Sequence, residues 1–253
     1  MPGGDHDRRA AVGVCAVIPV HDEAASIAGV VREVMRFVGE ILVFDDGSSD
    51  GSARIAKAAG ARVLGWPGRR GKGAAVRAAL GDVFERQGFD AAVVLDGDGQ
   101  HVPAEIPRFL AAYEAGADLV LGDRSGGFSR MPFARRLANT AMTALLRPWA
   151  GGDLRDSQCG FRLFASGFHR ALRTARNHFD AESEVLIEAH RLGARVVQVP
   201  VSVVYGSERS KIRILPDTWR FLGLLARAAF SPPPATPPLS GTLASSPAGR
   251  CPV

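Results

Sequence analysis

The sequence is short of cysteine, of lysine and of long apolar runs, and each shortage excludes something. Its three cysteines, Cys15, Cys159 and Cys251, are odd in number, far apart and without C-x-x-C spacing, which argues against both a disulfide framework and a zinc knuckle. A reducing compartment, the cytoplasm, is therefore expected. No uninterrupted apolar stretch approaches the ~20 residues that span a bilayer, so any membrane contact is expected to be peripheral. Residues 1–11 are polar and mixed in charge, without the apolar stretch of a signal peptide, and are expected to be a flexible arm. Lysine occurs only as Lys57, Lys72 and Lys211, so 28 of the 31 basic residues are arginine.

What is present is ordinary for a globular chain of 253 residues: 46% hydrophobic and 23% charged, which rules out collagen and disorder throughout. The net charge of +5, with 26 acidic residues interspersed, admits a nucleic acid, an anionic membrane surface or a phosphorylated substrate as partner. It fits a solvated arginine-rich surface equally well, so the choice falls to the sites.

Short apolar runs alternate with helically spaced segments. Strands are predicted at 12–20, 41–44, 62–66, 91–95, 118–121, 161–164 and 196–204, and helices at 24–38, 52–59, 73–86, 106–115, 131–149, 182–192 and 214–230. Strands that read as continuous apolar runs belong to sheets covered on both faces, and such sheets are mostly parallel. Ligands bind beyond the carboxyl ends of such strands, where acidic clusters recur three times. The segment 231–253 holds 7 prolines in 23 residues and is expected to be a disordered tail.

Those strand ends carry the candidate chemistry. In Leu95-Asp96-Gly97-Asp98-Gly99-Gln100-His101, two carboxylates follow a buried strand, the glycines permit close backbone approach, and Gln100 adds a neutral oxygen. Two loop carboxylates are often a solvated turn; this set also suits a hard divalent cation, Mg2+ or Mn2+, that keeps open positions for phosphate oxygens. Asp96, Asp98 and Gln100 are the expected metal ligands. In Asp45-Asp46-Gly47-Ser48-Ser49-Asp50-Gly51-Ser52, Ser49 or Asp50 caps the next helix, while the leading carboxylate pair exceeds what a cap needs and is expected to accept from a nucleobase or a ribose. Gly68-Arg69-Arg70-Gly71-Lys72-Gly73 is not a P-loop, since Trp66 stands at the first glycine position and Gly73 at the Ser/Thr position. Because lysine is so rare, Lys72 between two glycines is expected to reach a base, ribose or phosphate, as is Lys211. His101 either supports the ligands or is a satisfied loop histidine, and Cys159 is expected to be packed rather than nucleophilic.

In chain order, Ile18-Pro19-Val20-His21-Asp22-Glu23, Asp45-Asp46-Gly47-Ser48-Ser49-Asp50-Gly51, Gly71-Lys72-Gly73, Asp96-Gly97-Asp98-Gly99-Gln100-His101, Gly122-Asp123-Arg124, Asp156-Ser157-Gln158-Cys159-Gly160-Phe161-Arg162 and Ser210-Lys211 resemble the family 2 glycosyltransferases of GT-A fold. Within them the chain resembles the polyprenyl (dolichyl) phosphate mannose or glucose synthases, over about residues 16–225. The resemblance implies a single α/β domain over 12–230, with a mostly parallel central sheet, helices on both faces and a nucleotide site at the carboxyl ends of the strands. It implies inverting, metal-dependent transfer of a hexose from a nucleotide diphosphate sugar. It also implies that Pro19, His21, Glu23, Asp45 or Asp46, and Lys72 surround the nucleoside, while Asp96, Gly97, Asp98 and Gln100 hold metal and diphosphate. Arg124, Arg209 and Lys211 would neutralise phosphates, with Arg162 a further candidate; Asp96, Asp98 and Arg124 are the residues expected to carry catalysis. The chain departs from the family at Asp22, where Asn is more usual, and a counterpart of the C-terminal membrane helices that many relatives carry is not expected.

Two acceptor classes follow. A lipid phosphate is already an anionic nucleophile and needs no general base, whereas a hydroxyl needs a carboxylate to take its proton, and Asp156, Asp180, Glu182 and Glu184 are the candidates. In 214–230, Arg213, Arg220 and Arg227 recur at seven-residue spacing beside Trp219, Phe221 and Leu225, a pattern of a helix lying on anionic lipid, with 131–149 as its partner. Ordinary packing of both helices on the sheet fits the same residues. A nucleic-acid-binding module is disfavoured, because carboxylates at three strand ends would repel phosphates.

Overall fold

The computed structural model describes residues 13–131, 133–174, 177, 180–202 and 214–230. The arm at 1–11, the segment 231–253, Arg209 and Lys211 lie outside the described residues. The chain runs β1 (Val14–Val20), α1 (Ile27–Val34), β2 (Glu40–Asp46), α2 (Ser52–Ala58), β3 (Arg62–Trp66) and α3 (Lys72–Gly81). It continues through β4 (Ala91–Val94), α4 (Ile106–Glu114), β5 (Leu119–Asp123), α5 (Phe133–Ala150), β6 (Arg162–Ala165) and α6 (Ser166–Ala171), and then α7 (Asp180–Arg191), β7 (Val196–Pro200) and α8 (Ile214–Phe230).

The strands form one seven-stranded sheet in the order β3-β2-β1-β4-β6-β5-β7. All neighbours are parallel except β6, which runs antiparallel to both β4 and β5. Successive side chains of a strand point to opposite faces, and β1 shows why its sequence lacks alternation. Cys15 and Val17 join the core beneath α3, α7 and α8, while Ala16, Ile18 and Val20 join the core beneath α1, α2 and α4. In α1 the buried residues are Ile27, Val30, Val31 and Val34, one stripe of a 3.6-residue period.

Several elements are shorter than their sequence patterns. The strand expected over 196–204 ends at Pro200, opposite Asp123, where its partner β5 also ends. The helix expected over 73–86 is regular only to Gly81, then widens through 82–86 so that the Gln87 N–H donates to the Asp82 carbonyl at 3.1 Å. From β1 the chain adds β2 and β3 on one side and β4 on the other. The loops leaving β1 and β4 thus part at the point where strand order reverses, the place where open α/β sheets form a binding crevice.

Candidate active site

Three loops meet at this crevice and interlock by hydrogen bonds. Pro19 lies beyond the last rung between β1 and β4, Val17 opposite Val94, where β1 pairs with β2 alone. His21 donates from Nδ1 to the Asp46 carbonyl at 2.9 Å. Asp22 adopts a positive φ of 56° and accepts from the Ser49 N–H at 2.8 Å, and that bond lowers the pKa of its carboxyl. The Glu23 N–H donates to Ser52 Oγ at 2.8 Å, and the Ala24 N–H to Asp50 at 2.8 Å.

The paired carboxylates after β2 have different surroundings. Asp45 accepts from the Ser48 N–H at 3.1 Å and from its hydroxyl. Asp46 is buried and accepts from the Trp66 indole at 2.7 Å, the Arg70 N–H at 2.7 Å and the Gly71 N–H at 2.8 Å. Its carboxylate therefore fixes the loop that delivers Lys72, a task that two adjacent aspartates do not announce in sequence. The Arg70 guanidinium lies 4.5 Å from the centre of the Trp66 ring.

Lys72 is the meeting point. Its Nζ lies 2.7 Å from Asp96 Oδ1 and 2.7 Å from Glu182 Oε1 at the start of α7. Burial works against charge on Lys72 and on Asp96, but the attraction of opposite charges wins: it raises the Lys72 pKa above its usual value and, against burial, holds the Asp96 carboxyl down at about 2. Sequence marks Glu182 only as a candidate base; a buried lysine in need of an anion is the signal that points to its pairing with Lys72. Gly160 forms the wall here, because a Cβ on it would lie 2.7 Å from Lys72 Nζ and 2.9 Å from Asp96 Oδ2. Gly97 likewise has no room for a side chain, with Val20 Cγ1 2.7 Å from where its Cβ would be.

Burial, and then the neighbouring charge of Asp96, push the Asp98 carboxyl above the usual carboxylate range. Asp98 Oδ1 accepts from the Gln100 N–H at 2.9 Å. Two carboxylates that repel each other at the mouth of a crevice are a donor set that a divalent cation relieves. Among the described residues no three His, Cys, Asp or Glu side chains cluster to hold a metal by themselves. Asp96 and Asp98 are carboxylate donors of the kind that hard divalent cations such as Mg2+ or Mn2+ take, while Gln100 contributes here the backbone N–H that Asp98 accepts. His101 is buried against Phe161, with ring centres 5.3 Å apart, and its Nδ1 accepts from the Asp96 N–H at 3.1 Å. Burial lowers its pKa, so the neutral ring steadies the backbone of Asp96.

Arg124 and Asp156, considered above as phosphate ligand and base, hold each other. Arg124 donates through Nε at 2.6 Å and Nη2 at 2.9 Å to the two oxygens of Asp156, and the residues are 8% and 1% exposed. Asp156 also accepts from Asn139 at 3.2 Å and from the Gln158 N–H at 3.1 Å. Arg162 spends its guanidinium on three carbonyls, those of Cys159, Glu182 and Ser157, at 2.8–2.9 Å, and so staples the 156–161 loop to α7. Cys159 is buried, which pushes its thiol up to about 12 and leaves it inert. A cavity of about 650 Å3 adjoins the site and meets it at Lys72, Gly160 and Glu182.

A family model described as Glycosyl transferase family 2 matches residues 15–173. The chain is 30% identical over 195 residues to glycosyltransferase AglJ of Haloferax volcanii, a match that covers 75% of this chain but only 62% of that protein. It is 30% identical over 204 residues to an undecaprenyl-phosphate mannosyltransferase of Micrococcus luteus, covering 76% of this chain and 83% of that one. Among solved structures, glucosyl-3-phosphoglycerate synthase from Mycobacterium tuberculosis in complex with Mn2+, uridine diphosphate and phosphoglyceric acid is similar at a TM-score of 0.68 and 25% identity, covering 88% of this chain and 80% of that one.

Proposed function

Since this chain belongs to glycosyl transferase family 2, we propose that it moves a hexose from a nucleotide diphosphate sugar to a polyprenyl phosphate, with a divalent cation at Asp96 and Asp98. The observation that carries this reading is the convergence of Asp96, Asp98 and Lys72 at the crevice where strand order reverses. The Mn2+ and uridine diphosphate in the mycobacterial neighbour support the donor class, and the name of the Micrococcus relative supports a lipid phosphate acceptor.

Each part of the site has a task in this reading. The interlocked loops after β1 and β2, with Pro19, His21, Glu23, Asp45 and Asp46, shape the nucleoside pocket. Lys72 stands ready to donate to a nucleotide oxygen, and Gly97 lets the turn between Asp96 and Asp98 pack directly on Val20. Arg209 and Lys211 remain candidates for phosphate contacts from outside the described residues. When bound, the divalent cation supplies Lewis-acid stabilisation of the leaving diphosphate. An in-line displacement by the acceptor oxygen then inverts the configuration at the sugar carbon.

The carboxylates favour an acceptor that needs no base. Asp156 is taken up by Arg124, and Glu182 by Lys72, so neither of these carboxylates stands free to act as a base. A lipid phosphate arrives ionised and makes no such demand.

No described helix is long and apolar enough to cross a membrane. Phe221 and Leu225 of α8 are buried in the core and leave the interfacial role to other residues. On α5, Phe133, Leu137 and Leu145 are 69%, 58% and 51% exposed at spacings of four and eight, so they share one side of the helix. That stripe is the part of the surface we assign to contact with the cytosolic face of a membrane.

The test is donor turnover. Purified protein with Mn2+ or Mg2+ is given UDP-glucose, GDP-mannose or UDP-N-acetylglucosamine, with and without polyprenyl phosphate, beside Asp98→Ala. Transfer from one donor that requires metal, lipid and Asp98 is expected. Transfer indifferent to lipid moves the acceptor to a hydroxyl compound, and absence of nucleotide binding overturns the donor site itself.

A further inference from the structure

Lys72 stands where a bound metal would create a conflict. Its ammonium lies 2.7 Å from Asp96 Oδ1, and Gly160 closes the space beside both groups. A divalent cation drawn to Asp96 meets a positive charge already seated on that carboxylate, and like charges this close repel. Glu182 offers the same ammonium a second anion at 2.7 Å, from an element 110 residues further along the chain.

We propose that Lys72 is the internal cation of the donor site before metal binds, and that Glu182 is the positioning residue that keeps Lys72 once a divalent cation takes Asp96. The inference rests on the reading of Asp96 and Asp98 as the carboxylates that hold metal and diphosphate. Without the cation, Lys72 compensates both Asp96 and Glu182. When the cation arrives, Lys72 gives up Asp96 but remains neutralised by Glu182, and its freed donors turn to the nucleotide. Glu182 thus acts through Lys72 and touches neither metal nor substrate.

Mn2+ titration followed by the electron paramagnetic resonance of the free ion reads this without turnover. Wild type with UDP is expected to bind Mn2+ and Asp98→Ala to lose it; failure of this arm overturns the donor-site reading and the exchange together. With that arm intact, Glu182→Gln is expected to weaken Mn2+ binding about tenfold, the size of an outer-shell effect. Lys72→Met is expected to tighten Mn2+ binding in the absence of nucleotide by about tenfold for the same reason in reverse. In the Lys72→Met background, Glu182→Gln is expected to have no further effect, whereas a persisting effect shows Glu182 acting directly and overturns the positioning role. A crystal structure of wild type with Mn2+ and UDP needs no variant: Nζ is expected on Glu182 and away from Asp96, and Nζ still paired with Asp96 beside the bound ion refutes the exchange.

Discussion

Asp156→Asn removes one buried charge and leaves its partner. The carboxylate is 1% exposed and accepts from Arg124 Nε and Nη2, Asn139 and the Gln158 N–H. An asparagine in the same place keeps one acceptor oxygen but turns an NH2 toward guanidinium donors and strands the positive charge. Breaking a buried pair in this way costs about 3–5 kcal/mol. For a domain of this size that corresponds to a fall of roughly 6–20 °C in Tm. Arg124 cannot lose its proton, so the cost is expected to stay constant between pH 5 and 8. Arg124→Met behaves differently: Asp156 is left in a site where burial raises its pKa, and its cost shrinks as pH falls and the carboxyl takes a proton. In the wild type, Asp156 has a lowered pKa, so its share of stability is present above the ordinary carboxylate value of about 3.9 and is lost as pH falls below it. Urea unfolding of both variants across this pH range is the assay. A loss under about 1 kcal/mol for Asp156→Asn, the size of a solvated surface pair, or a cost for Arg124→Met that rises on acidification, refutes the reasoning.

Three further outcomes follow from the same geometry. Asp46→Ala leaves the Trp66 indole and the Arg70 and Gly71 N–H groups without their acceptor; a loss of about 2–3 kcal/mol is expected, with a changed tryptophan emission and weaker nucleotide binding. Gly160→Ala inserts a methyl against Lys72 and Asp96, so nucleotide affinity measured by calorimetry is expected to fall at least about tenfold, or ~1.4 kcal/mol, while the far-UV circular dichroism is unchanged. Cys15 and Cys159 are buried thiols pushed up to about 11 and about 12; peptide mapping after iodoacetamide is expected to find both unmodified in the native protein and both alkylated in denaturant.

Much of the fold was legible because its strands are covered on both faces and so read as unbroken apolar runs, as Cys15–Val20 does. The reversed direction of β6 was not, since four buried residues, Arg162–Ala165, carry no mark of polarity along the sheet. The acidic strand ends could be placed at the crevice from sequence because Asp96 and Asp98 lie together just past the end of one apolar run. Lys72 with Glu182 and Arg124 with Asp156 are pairs 110 and 32 residues apart, and sequence shows four charged residues without saying which neutralises which. Burial is the missing information: once β5 and the 156–161 loop are known to be enclosed, Arg124 and Asp156 must find each other. In 214–230, Phe221 and Leu225 are buried while Leu222 and Phe230 are exposed, a division between core and surface that the arginine heptad does not reveal.

The central claim, transfer to an ionised lipid phosphate, is tested most directly by giving the enzyme radiolabelled donor with either polyprenyl phosphate or the corresponding polyprenol. Label is expected in the organic phase with the phosphate alone, and equal labelling of the alcohol would contradict transfer to an ionised lipid phosphate.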